Sequence, residues 1–392
     1  MNNNLKKIIK KAICGCLDLF PIKKNKIVVD NFAGKGFSDN PRYVIEALHS
    51  KAIQPLEIVW LVRKSEWNSP FPDYIKKVCI DRHGLISTIR CWYEYSTSHI
   101  WIDNIKNFSK AEKRRDQFYL QTWHGAIALK KIEMAASETL SQAYIESSKY
   151  DSKQIDLMIS NSQWFNDDVY KNFWYHGKIA ITGTPRNDVF FQDPEPIRKK
   201  VRKFYHLPDE VEIILYAPTF RGHLSPQDQL KVYEFDEQKV LNAFSNKYKR
   251  KFIILKRLHP NISNLVKMNE TENVKNGSNY SDMQELLIAS FALITDFSSS
   301  MFDFMLISNQ IYLFTKDYDS YLENERGLNF DVKNDLPFPF AENENELITN
   351  INNFDEEYSN NNIDDFKKRL QIKEDGHASE RVADILLNVM NR

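Results

Sequence analysis

Short runs of β-branched and aromatic residues recur along this chain, and helical patterns lie between many of them. The first series is "KIVVD" (26–30), "EIVWLV" (57–62), "HIWID" (99–103), "FYLQTW" (118–123), "LMIS" (157–160) and "KIAITG" (178–183). "PRYVIEALHSK" (41–51) and "NSQWFNDDVYKNFW" (161–174) read as helices. Strands alternating with helices predict a parallel sheet with crossover connections. A second series follows the charged, proline-punctuated segment "DPEPIRKKVRKFYHLPDE" (193–210), which carries a helix of its own. Its strands are "IILYAPTF" (213–220), "KFIILKRL" (251–258), "FALITDF" (291–297) and "IYLFT" (311–315). "SDMQELLIAS" (281–290) reads as a helix opened by Ser281, with Gln284 at capping-box spacing. The Asn- and acid-rich stretch 343–365 reads partly as loop. The chain thus divides into two α/β halves, without a repeat of solenoid period.

Length and composition narrow the function classes. A chain of 392 residues has room for two or three domains with sizeable cores. The apolar fraction of 42% is that of a globular protein rather than a disordered one. Lys+Arg and Asp+Glu balance at 53 each, which argues against general nucleic-acid binding. Cys14, Cys16, Cys79 and Cys91 form no CxxC and no zinc-spaced cluster, so they read as free thiols. No apolar run reaches the ~18–20 residues of a membrane span. The basic N-terminus lacks the long apolar region of a secretory signal, and a cytoplasmic protein is expected.

In open parallel sheets, ligands bind beyond the carboxyl ends of the strands. Five strand ends here run into unusual polar groups. "YLQTW" leads to His124 and Gly125, and "IAITG" to Thr184–Asp188, which includes Arg186. "ILYAP" leads to Thr219 and Arg221. "IILKRL" contains Lys256 and Arg257 and leads to His259. "ALITDF" leads from Asp296 to Ser298, Ser299 and Ser300. Cations, hydroxyls and imidazoles together suit a phosphate site. The serines also start an apolar helix, where hydroxyls and the helix dipole suit a phosphate. "DYD" (317–319) is a weak candidate for a metal-binding acidic pair and reads as a solvated loop.

These strand ends resemble the CDP-glycerol glycerophosphotransferases, the teichoic-acid primases and polymerases of bacterial walls and capsules. "QTWHG", "GTPRND", "ILYAPTFR", "LKRLHP", "TDFSSSMFDFM" and "ENERGLNFD" occur in the family's order over roughly residues 25 to 335. The resemblance implies an α/β GT-B fold, with two Rossmann-like domains facing across a cleft and a C-terminal helix returning to the first. It suggests a basic amphipathic helix over 1–25, an acceptor-side domain over 26–190, a CDP-donor domain over 191–365 and the C-terminal helix over 366–392. Two departures stand out. "WHGAIALKK" has Ala126, Ile127 and Ala128 where the family has Thr-Pro, and "LPFPF" (336–340) replaces a Pro-Gly-Pro region. The chain reads as a short primase-like or capsule-type enzyme.

The reaction implied is transfer of glycerol phosphate from CDP-glycerol to an acceptor hydroxyl, releasing CMP. The family's paired histidines fall on His124 and His259, with His124 as the base. Its donor-phosphate positions fall on Arg221, Arg257, Ser298 and Ser299, with Arg326 as a further contact. Gly125, Arg186, Asp188, Thr219, Asp296 and Asp303 are expected to support them. No cofactor is firmly implied and no residue is assigned to a metal. Three alternatives stay open: a CDP-ribitol donor, a nucleotide-sugar glycosyltransferase on the same fold, and a silent scaffold protein.

The N-terminal stretch "NLKKIIKKAICGCLDLF" (4–20) sets Leu5, Ile8, Ile9, Ala12, Ile13, Cys16, Leu17 and Phe20 at helical spacing, with Lys6, Lys7, Lys10 and Lys11 away from that stripe. Such a helix either packs on the first domain or lies on an anionic bilayer, and the second reading is preferred. With the lipid-linked or saccharide acceptor that the family implies, this predicts a peripheral protein on the inner face of the cell membrane.

Overall fold

The computed structural model describes residues 3–80, 84–106, 110–263, 265–266, 268 and 270–391. Among these, the chain forms two compact units. One comprises Met1–Gly125, Leu140–Asp188 and Lys373–Arg392; the other comprises Ala126–Thr139 and Val189–Ile372. The boundaries differ from those read in the sequence, because segment 126–139 clusters with the second unit.

The first unit is built on strands β1 (Lys23–Asp30), β2 (Glu57–Val62), β3 (Ile75–Cys79), β4 (Ser98–Asp103), β5 (Phe118–Gln121), β6 (Leu157–Ser160) and β7 (Lys178–Ile181). They lie in the order β3-β2-β1-β4-β5-β6-β7, and every pairing is parallel. The central strands are buried on both faces, as continuous apolar runs such as "IVV" and "IVWLV" require. Strand order reverses at β1 and β4, and the crevice of a doubly wound sheet opens there. The helix Ala378–Met390 completes this unit. Its Val382, Ala383 and Leu386 pack with Val44, Ile45 and Leu48 of the helix Asp39–Lys51.

The second unit carries β8 (Val211–Ala217), β9 (Lys251–Lys256), β10 (Val274–Asn276), β11 (Ala292–Thr295), β12 (Ile311–Phe314) and β13 (Phe340–Ala341). Their order is β10-β9-β8-β11-β12-β13, again all parallel. The reversal falls between β8 and β11. Thr219 and Asp296 follow these two strands, so the polar strand ends lie at the switch point.

Several local expectations are corrected. Residues 161–174 do not form one α-helix. A π-helical turn at Phe165–Val169 runs into a 3-10 turn at Tyr170–Phe173. Phe165, Tyr170 and Phe173 pack ring against ring there, and the Tyr170 hydroxyl donates to the Ile159 carbonyl. Asp282, rather than Ser281, caps the helix Met283–Ala289, accepting from the Glu285 N–H at 3.1 Å. The stretch 343–365 lies in two helices, Glu344–Asn352 and Glu356–Leu370, each capped by a side chain. The single C-terminal helix is therefore two: Glu356–Leu370 ends in the second unit, and Ala378–Met390 lies in the first.

The N-terminal helix Asn3–Leu17 packs against the helix Leu85–Thr97. Cys14 and Leu17 are buried, and the Lys10 amine lies 5.8 Å from the Trp92 ring. Lys10 is thus not a fully solvated lysine, and burial lowers its pKa. The side chains of Leu5, Lys6, Lys7 and Ile8 lie outside the described part.

Candidate active site

In the first unit, β1 and β4 both end in Asp-Asn. Asn31 and Asn104 are buried and bonded to each other, Asn104 Nδ2 donating to Asn31 Oδ1 at 2.7 Å. Asn104 also donates to Asp39 Oδ1 at 3.1 Å and accepts from the Phe32 N–H at 2.8 Å. His124 lies beside this pair, beyond the end of β5. Its Nδ1 donates to the Asn104 carbonyl at 2.8 Å. A carbonyl can only accept, so Nδ1 carries the proton and the neutral ring has its lone pair on Nε2. That is the tautomer of a base held by its opposite nitrogen.

The loop around His124 is fixed from several sides. Trp123 sits at φ +52°, a left-handed conformation uncommon outside glycine. Its N–H donates to Gln121 Oε1 at 2.9 Å, and its carbonyl accepts from Asn40 Nδ2 at 2.9 Å. Arg186 Nη1 donates to the His124 carbonyl and, at 2.9 Å, to Asp39 Oδ2. The Arg186 backbone N–H donates to Asn40 Oδ1 at 3.1 Å. The structure therefore brings Arg186 to His124, with Asp39, Asn40 and Asn104 as partners that the sequence reading missed. A signal existed in the matching "VVDN" and "WIDN" strand ends. A Cβ at Gly125 would meet the Trp123 ring at 3.7 Å, an ordinary contact, so the protein's own packing does not demand glycine.

Asp188 serves the fold. Its carboxylate accepts from the Ala378 and Ser379 N–H groups at 2.9 and 2.6 Å, at the start of the last helix. Burial raises its pKa against those hydrogen bonds.

In the second unit, Asp296 is the hub. Oδ1 accepts from the Thr219 and Phe297 N–H groups at 2.8 and 2.6 Å, and Oδ2 accepts from Arg221 Nη2 at 2.8 Å. Arg221, expected to hold a donor phosphate, is 1% exposed. Its Nε and Nη2 form a fork on Asp317 at 2.7 and 2.8 Å, and Nη1 donates to the Thr219 carbonyl at 2.6 Å. Burial works against its charge, but Asp296 and Asp317 outweigh it and hold the guanidinium ionised. Arg221 is a positioning residue, and the Asp317 carboxylate of "DYD" is its partner. Among the described residues, no three His, Cys, Asp or Glu side chains gather as around a metal ion.

Arg257 also turns to backbone. Nη1 donates to the Gly277 carbonyl at 3.2 Å and to that of Tyr280. Gly277 packs so closely that a Cβ would meet the Lys256 carbonyl at 3.2 Å. Arg257 thereby ties the loop after β10 to the end of β9, and His259 projects beyond it, exposed, with its ring 5.5 Å from Phe220. At the end of β11, Ser298 Oγ accepts from the Ser300 N–H at 3.3 Å and lies 2.9 Å from Ser300 Oγ. Ser299 precedes the short helix Ser300–Phe304 and makes no side-chain cap bond. Asp303, inside that helix, accepts from Gln284 Nε2 at 3.2 Å. Arg326 is exposed. Because β9, β8 and β11 are neighbours, His259, Thr219 and Ser298–Ser299 lie beyond the carboxyl ends of adjacent strands of one sheet.

A family model described as CDP-glycerol:poly(glycerophosphate) glycerophosphotransferase matches residues 16–388. A teichoic acid glycerol-phosphate transferase of Staphylococcus aureus is 29% identical, with 97% of this chain and 98% of that protein covered. A teichoic acid poly(glycerol phosphate) polymerase of Staphylococcus epidermidis is 28% identical over 93% of this chain, which spans 51% of that protein's length. Among solved structures, the wall teichoic acid polymerase TagF, in a variant soaked with CDPG, superposes with a TM-score of 0.80 at 26% identity. That match covers 99% of this chain and 96% of the other. The two-sheet α/β architecture is thus of the GT-B type expected.

Proposed function

Because the chain belongs to the CDP-glycerol:poly(glycerophosphate) glycerophosphotransferase family, we propose that it moves glycerol phosphate from CDP-glycerol to an acceptor hydroxyl in teichoic acid or capsule polymer synthesis. The acceptor oxygen bonds to the β-phosphorus, the bond from that phosphorus to the bridging oxygen breaks, and CMP leaves with the electron pair. Nε2 of His124 takes the hydroxyl proton. The observation that carries this reading is the Nδ1 bond from His124 to the Asn104 carbonyl, which holds the ring as a base. The donor belongs to the second unit, where His259, the Ser298–Ser299 helix start and Arg326 face it, and Arg257 and Arg221 shape the loops that receive it. In-line positioning and charge neutralisation carry most of such a transfer.

The acceptor in this reading is lipid-linked, and the protein works on the inner membrane face. Among the described residues, no helix is long and apolar enough to cross a membrane. The docked N-terminal helix leaves Ile9, Ala12 and Cys16 exposed at helical spacing, and Leu19 and Phe20 are exposed beyond its end. That apolar row supports a peripheral attachment.

The test is CMP release by purified protein given CDP-glycerol and a lipid-linked acceptor, with CDP-ribitol and UDP-sugars in parallel. CDP-glycerol is expected to turn over, and His124→Ala to lower the rate by roughly two to four decades. Turnover of a UDP-sugar alone would overturn the reading, and full activity in a folded His124→Ala protein would remove the base.

A further inference from the structure

A diphosphate donor needs positive charge facing it, and the hub of the second unit does not supply it. Arg221 there is matched by two carboxylates, Asp296 and Asp317. Together they leave the buried core of the site one charge negative, which repels a phosphate. Glu325 adds to this, although it is bound to the Gly222 N–H at 2.6 Å and to His223 at 3.0 Å. The exposed Arg326 offers one cation, which does not by itself balance the hub, Glu325 and a diphosphate.

Lys130 is placed to supply another. It lies in the segment Ala126–Thr139, which clusters with the second unit. Its backbone is pinned by the loop that follows Arg326. Lys130 bridges Leu328, the Lys131 N–H donates to the Gly327 carbonyl at 2.7 Å, and the Asn329 N–H donates to the Leu129 carbonyl at 2.8 Å. Asn329 Nδ2 donates to the Ala128 carbonyl at 2.8 Å and to the Lys130 carbonyl at 3.3 Å. The half-buried amine lies 5.4 Å from the centre of the Tyr321 ring. That ring stacks at 3.6 Å on Phe297, the residue between Asp296 and Ser298. Among the described residues the Lys130 amine forms no ion pair. Two further groups nearby have unused hydrogen-bonding capacity: Tyr321 Oη and Thr219 Oγ1 are buried and have no hydrogen-bond partner among the described residues. Native proteins rarely leave such groups unsatisfied without a ligand or water to take them.

We propose that the Lys130 ammonium binds a phosphate of the donor, as the cation that neutralises the negative hub around Arg221. This rests on the reading of the second unit as the donor side. Burial pulls the amine of the free protein down to about 8, with Asp296 and Glu325 opposing and Arg326 and Arg221 assisting. The facing phenol of Tyr321 is itself raised by burial and contributes no charge in this range. A bound phosphate favours the charged amine. Above pH 8 the free amine has lost its proton, so binding must first restore it and affinity falls. Below pH 8 the amine is already charged and contributes no slope. The donor's own groups do not titrate in this window, so the slope reports on the protein.

The experiment is calorimetric titration of the full chain with CDP-glycerol, CMP and cytidine from pH 6.5 to 9.5. The proteins are wild type, Lys130→Gln and Lys130→Arg. Wild type is expected to lose affinity for CDP-glycerol by up to about tenfold per pH unit above 8. Lys130→Gln is expected to bind CDP-glycerol roughly 10- to 100-fold more weakly, with cytidine unchanged. Lys130→Arg stays charged, so its affinity is expected not to vary above pH 8. Undiminished binding by Lys130→Gln overturns the proposal, and so does a pH slope kept by Lys130→Arg. If Lys130→Gln does not fold, a flat wild-type profile through pH 9.5 still overturns it. Failure of the wild type to bind CDP-glycerol at any pH removes the donor reading itself, a result distinct from the others.

Discussion

Arg221 separates two accounts of the donor side, and its replacement by methionine tells them apart. If the guanidinium were a phosphate ligand, its loss would weaken donor binding and leave the fold alone. The structure gives it another role. Its fork donates to Asp317 at 2.7 and 2.8 Å, to Asp296 at 2.8 Å and to the Thr219 carbonyl at 2.6 Å, with the side chain 1% exposed. Methionine fills much of the volume but leaves two carboxylates facing each other without their cation. Breaking a buried ion pair from one side costs about 3–5 kcal/mol. With a urea m-value of about 2–3 kcal/mol/M for a unit of this size, the midpoint of the second unit should fall by roughly 1–2.5 M. Far-UV circular dichroism in urea measures it. Adding Asp317→Asn removes one of the stranded charges and should recover part of the loss. An Arg221→Met protein with a midpoint within about 0.3 M of wild type and a tenfold weaker grip on CDP-glycerol would refute the positioning role.

Two other outcomes are expected. Asp188→Ala removes the carboxylate that accepts from the Ala378 and Ser379 N–H groups; a lost cap costs about 0.5–2 kcal/mol, so limited trypsin digestion should cut at Arg381 sooner than in wild type. Leu19→Glu with Phe20→Glu places two charges in the exposed apolar row, and co-sedimentation with anionic liposomes at low salt should drop; equal sedimentation by both proteins would set aside membrane attachment through this row.

What could be read from the sequence follows the range of the physics. Strand runs and the polar groups just past them are local, and they mark His124 beyond β5 in the first sheet, and His259, Thr219 and the serine cluster beyond β9, β8 and β11 in the second. What Arg221 does is not local. Its carboxylates lie 75 and 96 residues away, and nothing in "APTFR" announces them. The same holds for Asn40, which holds Trp123 across 83 residues. Lys130 stood in the same stretch as His124, but its significance comes from the loop at 327–329. The irregular turn at 165–173 has helical spacing of its apolar residues, and the ring packing of Phe165, Tyr170 and Phe173 decided otherwise.

The chain passes between the two units four times, after Gly125, Thr139, Asp188 and Ile372. This has a consequence for the order of assembly during synthesis. The first unit has all its strands by Ile181, yet its core also needs Val382, Ala383 and Leu386. Roughly 190 residues separate Asp188 from Ala378, so at about 5–20 residues per second the ribosome needs some 10–40 s to deliver the helix that covers Val44, Ile45 and Leu48. During that interval the nascent first unit exposes an apolar helix face. Variants that slow folding of the second unit should therefore lengthen exposure of the first and increase aggregation in the cell. An exchange of the second unit between relatives would have to respect all four crossings, since a single cut near residue 190 separates each unit from a part of itself.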